Sequence, residues 1–262
     1  FITSEATIAQ RIVRAKRKIV DANIPYRVPA ERDMGQRLDE VLAVLYLMFN
    51  EGYLATAGEQ ASRRDLAEDA AWLAGLMVRL MPDEPEALGL LALMRLHLAR
   101  ARGRFDDAGN LVLLQDQDRD RWDQDRIASA MLLLQRAASL HRSGPYQLQA
   151  AIAACHAEAR TWADTDWRQI VALYDALLDL MPSPVVELNR GIARRYRDGA
   201  GAALDDVERL AEVLDGYYLF HATRAELLRD LGREPEARAA LRRALELTAN
   251  PAERALLQKR LS

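Results

Sequence analysis

An all-α fold is expected, built of antiparallel helix pairs stacked as a tetratricopeptide-like right-handed solenoid, and three observations predict it. Half of the residues are apolar but only 6% are aromatic, and Ala and Leu supply most of the apolar side. That mixture favours helices and leaves little to populate strands. The later helical segments are separated by two to five residues, which makes consecutive helices antiparallel neighbours. Small or apolar residues also recur 34 positions apart: Gly191 with Ala225, Ala203 with Ala237, Leu210 with Ala244. A 34-residue period with small residues and a helix-ending Pro is the tetratricopeptide signature, and 218–251, ending in ALELTANP, fits one repeat.

The elements follow from caps and periodicity. A first helix runs from a cap at Thr3 or Ser4 to about Asp21, and Pro25, Pro29 and Gly35 mark the loop after it. A second covers about 36–54, with Leu38, Val41, Leu42, Leu45 and Phe49 at helical spacing. A third starts at Ser62, with Asp65 as a short-chain capping-box partner, and stops at Pro82. A fourth covers about 85–101, and an irregular stretch, 103–123, interrupts the pattern. Helices resume at about 124–142, 145–162, 166–181, 184–197, 201–214, 217–231, 234–247 and 251–261. Pro145, Pro184 and Pro251 sit in first turns, where a missing N–H costs nothing. The Leu-Met-Pro triplet at 80–82 returns at 180–182, near three periods on. Four segments result: 1–21, a linker 22–35, a helical domain 36–123 with the insertion 103–123, and repeats over 124–262.

Cys155 is the single cysteine, so no internal disulfide forms, and a reducing compartment is expected. No stretch approaches 18 consecutive apolar residues and there is no signal peptide, so the expected location is cytoplasmic, with no membrane partner. The chain opens on Phe1 within a helical pattern and reads as a fragment. Its charge is uneven. Residues 1–19 carry Arg11, Arg14, Lys16, Arg17 and Lys18 against Glu5 alone, a local +4 on a chain whose net charge is −3. A basic end on an acidic body points to nucleic acid for the one and another partner for the other.

Ile8, Ile12, Ala15 and Ile19 share one face of the first helix, and Thr7, Gln10, Arg11, Arg14, Arg17 and Lys18 spread over the others. On charge alone, a plain solvated basic face is the preferred reading over a nucleic-acid contact. The run SEATIAQRIVRAK, however, resembles the recognition helix of promoter-reading region 4 in extracytoplasmic-function sigma factors, which shows a Thr-Val-Lys-Ser-Arg-Leu-x-Arg-Ala-Arg pattern. Thr7, Arg11, Arg14 and Ala15 match, Ile8 and Ile12 are conservative, and Lys16 keeps its charge. Ala9 and Gln10 depart from the pattern where that family reads bases, which leaves the promoter sequence open. LYLMFNEGY (45–53), QDQDRDRWD (115–123), GPYQLQAAIAACHAEA (144–159) and FHATRAELLRDLGR (220–233) resemble the sigma-factor group with a C-terminal tetratricopeptide extension. The resemblance covers nearly the whole chain.

The resemblance makes residues 1–21 the remnant of a helix-turn-helix recognition helix. It implies Thr7, Ala9, Gln10 and Arg14 on the major-groove side, and Arg11, Lys16, Arg17 and Lys18 on phosphate. In the full-length protein the implied partners are core RNA polymerase and promoter DNA. The extension would modulate transcription initiation through protein contacts. An alternative is a general tetratricopeptide adaptor that binds a protein or peptide without DNA.

The polar constellations bear on the partner. In Asp116-Gln-Asp118-Arg119-Asp120-Arg121-Trp122-Asp123, an EF-hand would need Gly and Glu where Arg121 and Ile127 stand, so no calcium site follows. The interleaved charges are expected to pair locally and cap the next helix, anchored by Trp122. Asn50, Glu51 and Tyr53 at a helix end, and Tyr146, Gln147 and Gln149 at a helix start, are expected to satisfy helix termini. Alternatively these six line a concave partner-binding groove with Asp116, Asp118, Arg119 and Trp122. His97, His141, His156 and His221 lack metal-ligand spacing and read as partly buried helix-face residues. Gly199-Ala-Gly201 lacks the glycines and strand of a phosphate loop. No cofactor, metal or catalytic set is expected. A helical enzyme would require a concave pocket holding a strongly perturbed carboxylate or histidine.

Overall fold

The computed structural model describes residues 34–54 and 60–261, together with six separate positions, Gln10, Val13, Arg14, Arg17, Lys18 and Asp21. Among the described residues there are twelve α-helices and no strand. They are α1 Met34–Leu54, α2 Gln60–Leu80, α3 Pro85–Ala99, α4 Gln124–Ser139, α5 Pro145–Glu158 and α6 Trp167–Leu180. There follow α7 Pro184–Asp198, α8 Ala200–Glu208, α9 Ala211–Leu214, α10 Tyr218–Asp230, α11 Glu234–Leu247 and α12 Pro251–Leu261. None of them is long and apolar enough to cross a membrane. The chain divides into two compact units, Phe1–Val41 and Leu42–Ser262. In the first, the six separate positions are helical and exposed.

The second unit is a row of helix pairs. Consecutive helices from α4 to α8 pack on one another, as do α10, α11 and α12, while α3 touches α5 and α8 touches α10 across the intervening helices. Apolar clusters pass along the row. One joins α3, α4 and α5 around Leu93, Leu96, Ile127 and Ala150, and the next joins α5, α6 and α7 around Ile152, Ile170 and Val186. A third joins α7, α8 and α10 around Leu188, Leu204 and Phe220, and the last joins α10, α11 and α12 around Ala225, Leu241 and Leu257. Such neighbour-to-neighbour burial is what a 34-residue period requires, because one helix pair cannot cover its own apolar face. All six residues of the 34-residue pairs are buried. A Cβ on Gly191 would stand 2.9 Å from Val207 Cγ2, so the small residue is what lets α7 and α8 cross this closely.

Several boundaries differ from expectation. Helix α2 is already running at Gln60, so Ser62 and Asp65 lie inside it and do not start it. The span 201–214 is two helices, because a tight turn at Arg209–Leu210 buries both Leu210 and Leu214. His141 lies beyond the end of α4, exposed and at φ 53°, where a helix-face position was expected. The segment between α3 and α4 holds three single 3-10 turns and a bridge between Phe105 and Leu111. The second unit runs without a break through residue 123, since α3 packs on both α4 and α5.

Candidate functional site

Two of the four tryptophans fall within six residues, and the fold uses both in one cluster. Asp166 caps α6, its carboxylate accepting the Gln169 N–H at 2.9 Å, and this places Trp167 as the first helical residue. The Trp167 ring stacks on Tyr196 of α7, centroids 4.2 Å apart, and Trp162 meets both edge-on at 4.8 and 5.2 Å. His156, in the last turn of α5, lies parallel to Trp162 at 5.7 Å. Rings in offset and edge-to-face contact add rigidity beyond their buried area.

A groove with a volume of about 350 Å³ opens beside this cluster. Its apolar walls come from Leu113 and Leu114 of the irregular segment, Ile170 and Tyr174 of α6, Ile192 of α7, and Leu219 and Leu227 of α10. Arg195, Glu226 and Arg260 supply a polar wall. The Arg195 guanidinium grips Asp230 through two hydrogen bonds of 2.5 and 2.7 Å, and Glu226 is held by Arg229 at 3.0 Å and Arg260 at 3.3 Å. Burial pushes the Tyr174 hydroxyl up to about 12, so it stays neutral. Burial first, then the charges of Arg100 and Arg119, push His156 down to about 4, and its imidazole is neutral near pH 7. A mostly apolar concave surface with few, fixed polar groups is the usual form of a ligand groove.

The ten residues expected to line a partner groove lie elsewhere. Tyr146, Gln147 and Gln149 meet at the start of α5. Tyr146 packs its ring on Tyr46 at 5.5 Å, Gln149 accepts the Tyr46 hydroxyl at 3.2 Å, and Gln147 is buried, bonded to Glu86 and to the Arg142 carbonyl. Arg119 and Trp122 stand at the other end of α5, about 15 Å away for ten residues of helix. There Arg119 donates to the carbonyls of His156 and Ala159, and its guanidinium covers the buried Trp122 ring at 5.0 Å. Asp116 and Asp118 are exposed, and Asp118 caps its own 3-10 turn. Tyr53 stacks on Phe49 and receives the Arg104 guanidinium 4.1 Å above its ring, while Asn50 and Glu51 lie on α1 beside it. The expected local cap forms over the buried Trp122, with Asp123 also paired to Arg126 at 3.3 Å, while other charges reach further, Arg121 to Asp107 at 3.9 Å. Asp123 caps α4 through the Arg126 N–H, and Arg126 continues to Glu68 on α2.

Of the residues expected on DNA, Gln10, Arg14, Arg17 and Lys18 are helical and exposed, and Thr7, Ala9, Arg11 and Lys16 lie outside the described residues. Among the described residues no group of three or more His, Cys, Asp or Glu is placed to hold a metal ion. Sequence reasoning missed Trp162, Trp167, Tyr196, Arg195 and Glu226. The spacing of Trp162 and Trp167 around a turn was a visible signal, whereas nothing local marks the other three.

Residues 37–138 match a protein family described as a family of unknown function, DUF6596. An uncharacterized protein of Rhizobium meliloti (strain 1021) is 47% identical over 261 residues, covering 100% of this chain. The chain spans 62% of that relative's length.

Proposed function

We propose that this chain is the C-terminal regulatory module of an alternative RNA polymerase sigma factor, acting in transcription initiation and carrying the end of its DNA-reading helix. The observation that carries the regulatory half is the aromatic groove of α6, α7 and α10, a rigid concave surface suited to a protein segment. The DNA-reading half is supported by the sequence resemblance and by four exposed helical positions, Gln10, Arg14, Arg17 and Lys18. Three of these four carry positive charge suited to phosphate. Contact with core polymerase and promoter belongs to the full-length protein.

Deletion of residues 60–262 from the full-length protein is expected to change promoter activation, and so is the double substitution Trp162→Ala with Tyr196→Ala. Unchanged transcription in both sinks the regulatory role. The groove alone equally favours an adaptor without DNA, which separates by one test. Reversing charge at Arg11 and Arg14 abolishes promoter binding under the sigma reading and leaves it intact under the adaptor reading. We place no catalysis in the groove: its carboxylate, Glu226, is already held by Arg229 and Arg260, and neutral His156 faces indoles.

A further inference from the structure

Many arginines of the second unit pair with carboxylates, among them Arg190, Arg194, Arg195, Arg224, Arg229, Arg233, Arg243 and Arg260. Behind the groove, Arg100 at the end of α3, Arg104 just after it and Arg119, set against the C-terminal end of α5, are each partly buried and none forms an ion pair with a described residue. Arg119 gives one nitrogen to the α5 carbonyls of His156 and Ala159, as a cation at a helix C-terminus should. Its other terminal nitrogen, Nη2, is buried without an acceptor.

Two further N–H donors beside it are also orphaned, Arg100 Nε and Trp122 Nε1. The Arg119 guanidinium lies 5.0 Å over the Trp122 ring, and the indole nitrogen stands 3.0 Å from where a Cβ on Gly103 would be. His97 and His156 each bury an Nδ1 that has no partner. The charge of Arg100 reaches both histidines, Arg104 and Arg119 and is unfavourable at each, so these five groups share one neighbourhood. The carboxylate that acts on Arg119 is Asp164, and it already accepts the Thr161 N–H and hydroxyl. A buried N–H without an acceptor costs about 1–3 kcal/mol, more when charged. Three such donors together call for an acceptor, and the positive charge on two of them favours one that brings negative charge.

We propose that Arg100, Arg119 and Trp122, beside His156, form an oxyanion-binding site that takes a phosphate or carboxylate group. One oxyanion offers acceptors to Arg100 Nε, Arg119 Nη2 and Trp122 Nε1 together, which a water molecule cannot match in charge. His156 lines both the groove and the cluster, so the anion is either a free ion or the charged end of a molecule lying in the groove. The site does not depend on promoter binding or on a protein partner, and it is tested on this chain alone.

Thermal unfolding is followed in sodium phosphate, sodium acetate and sodium chloride at matched ionic strength. Phosphate or acetate is expected to raise the midpoint saturably, by about 5 °C at a hundredfold excess over the dissociation constant. The anion that does so identifies the source as phosphate or carboxylate. The double variant Arg100→Gln with Arg119→Gln is expected to lose that rise, and the exposed-site control Arg102→Gln to keep it. If the double variant does not fold, the unaltered chain decides. Its four indole N–H resonances are followed during anion titration, with Trp122→Phe assigning the relevant one. A saturable shift of the Trp122 resonance supports the site. No oxyanion-specific midpoint shift, a rise retained in a folded double variant, or an unmoved Trp122 resonance overturns it.

Discussion

The carboxylate of Glu86, on α3, caps helix α5 through Gln147, sixty-one residues away. Glu86 Oε1 accepts the Gln147 backbone N–H at 3.2 Å and its side-chain amide at 3.1 Å, and Oε2 accepts the Tyr146 N–H at 2.9 Å. Helix α5 begins at Gly144 and Pro145, which bring no capping side chain of their own, so its first N–H groups depend on this borrowed acid. The missing Cβ at Gly144 makes room for it, since a Cβ there would sit 2.2 Å from Glu86 Cδ. Glu86→Ala is therefore expected to cost about 2 kcal/mol of unfolding free energy, by loss of a cap and of hydrogen bonds to a charge. Glu86→Gln keeps the acceptor and should cost about half as much. Urea midpoints rank the two, and equal midpoints would show that the cap contributes nothing.

Three glycine-to-alanine changes separate close approach from helix propensity. At Gly89 a Cβ would stand 2.7–2.9 Å from the Gln147 backbone, which cannot move aside without shifting α5. A loss of about 3 kcal/mol is expected there. At Gly191 the neighbour is the methyl of Val207, which can turn, and about 1 kcal/mol is expected. Gly201, inside α8, meets nothing within 4 Å, so Ala should gain about 0.5–1 kcal/mol. The order of the three midpoints is the check.

Acid should destabilise the second unit through its histidines before its carboxylates titrate. Burial first, then Arg100, Arg104 and His156, holds His97 down at about 3, against 6.5 when unfolded. Below about pH 6.5 the unfolded chain binds a proton that the folded one refuses, so stability is complete above that pH and falls as the pH falls. Between pH 7 and pH 5 His97 accounts for a loss of about 2 kcal/mol. The variant His97→Gln should flatten that part of the curve. An unfolding free energy with the same pH slope in both proteins would overturn the assignment.

Cys155 is a free, buried thiol, and burial pushes its pKa up to about 11. The thiolate is the reactive form, so alkylation by iodoacetamide at pH 8 should be at least tenfold slower than for an unstructured cysteine. Full reactivity should return in denaturing urea. Rapid labelling of the folded chain, followed by mass spectrometry, would contradict the burial described.

Which features were legible in the sequence depends on whether the deciding physics is local. Periodic Leu and Ala, prolines in first turns and the 34-residue spacing are local, and they place α3 to α12 within a few residues, the split at Arg209–Leu210 apart. Two element ends escape the local signals. Helix α2 overrides the Ser62 cap signal, and Gln147 reads as a terminus residue without any sign that its acceptor is Glu86.

The solenoid of helix pairs was determined by the sequence itself, because an apolar stripe every 3.6 residues and a small residue every 34 admit few other ways to bury the chain. The position of the candidate groove was decided by tertiary structure. It gathers the ring of Trp167, the side chain of Ile192 and the acid Glu226 from three helices, α6, α7 and α10. Long-range packing sets those distances, and no spacing along the chain encodes them. The same holds for Arg100, Arg119 and Trp122, which the sequence scatters over 23 residues and the fold confines to one poorly solvated corner.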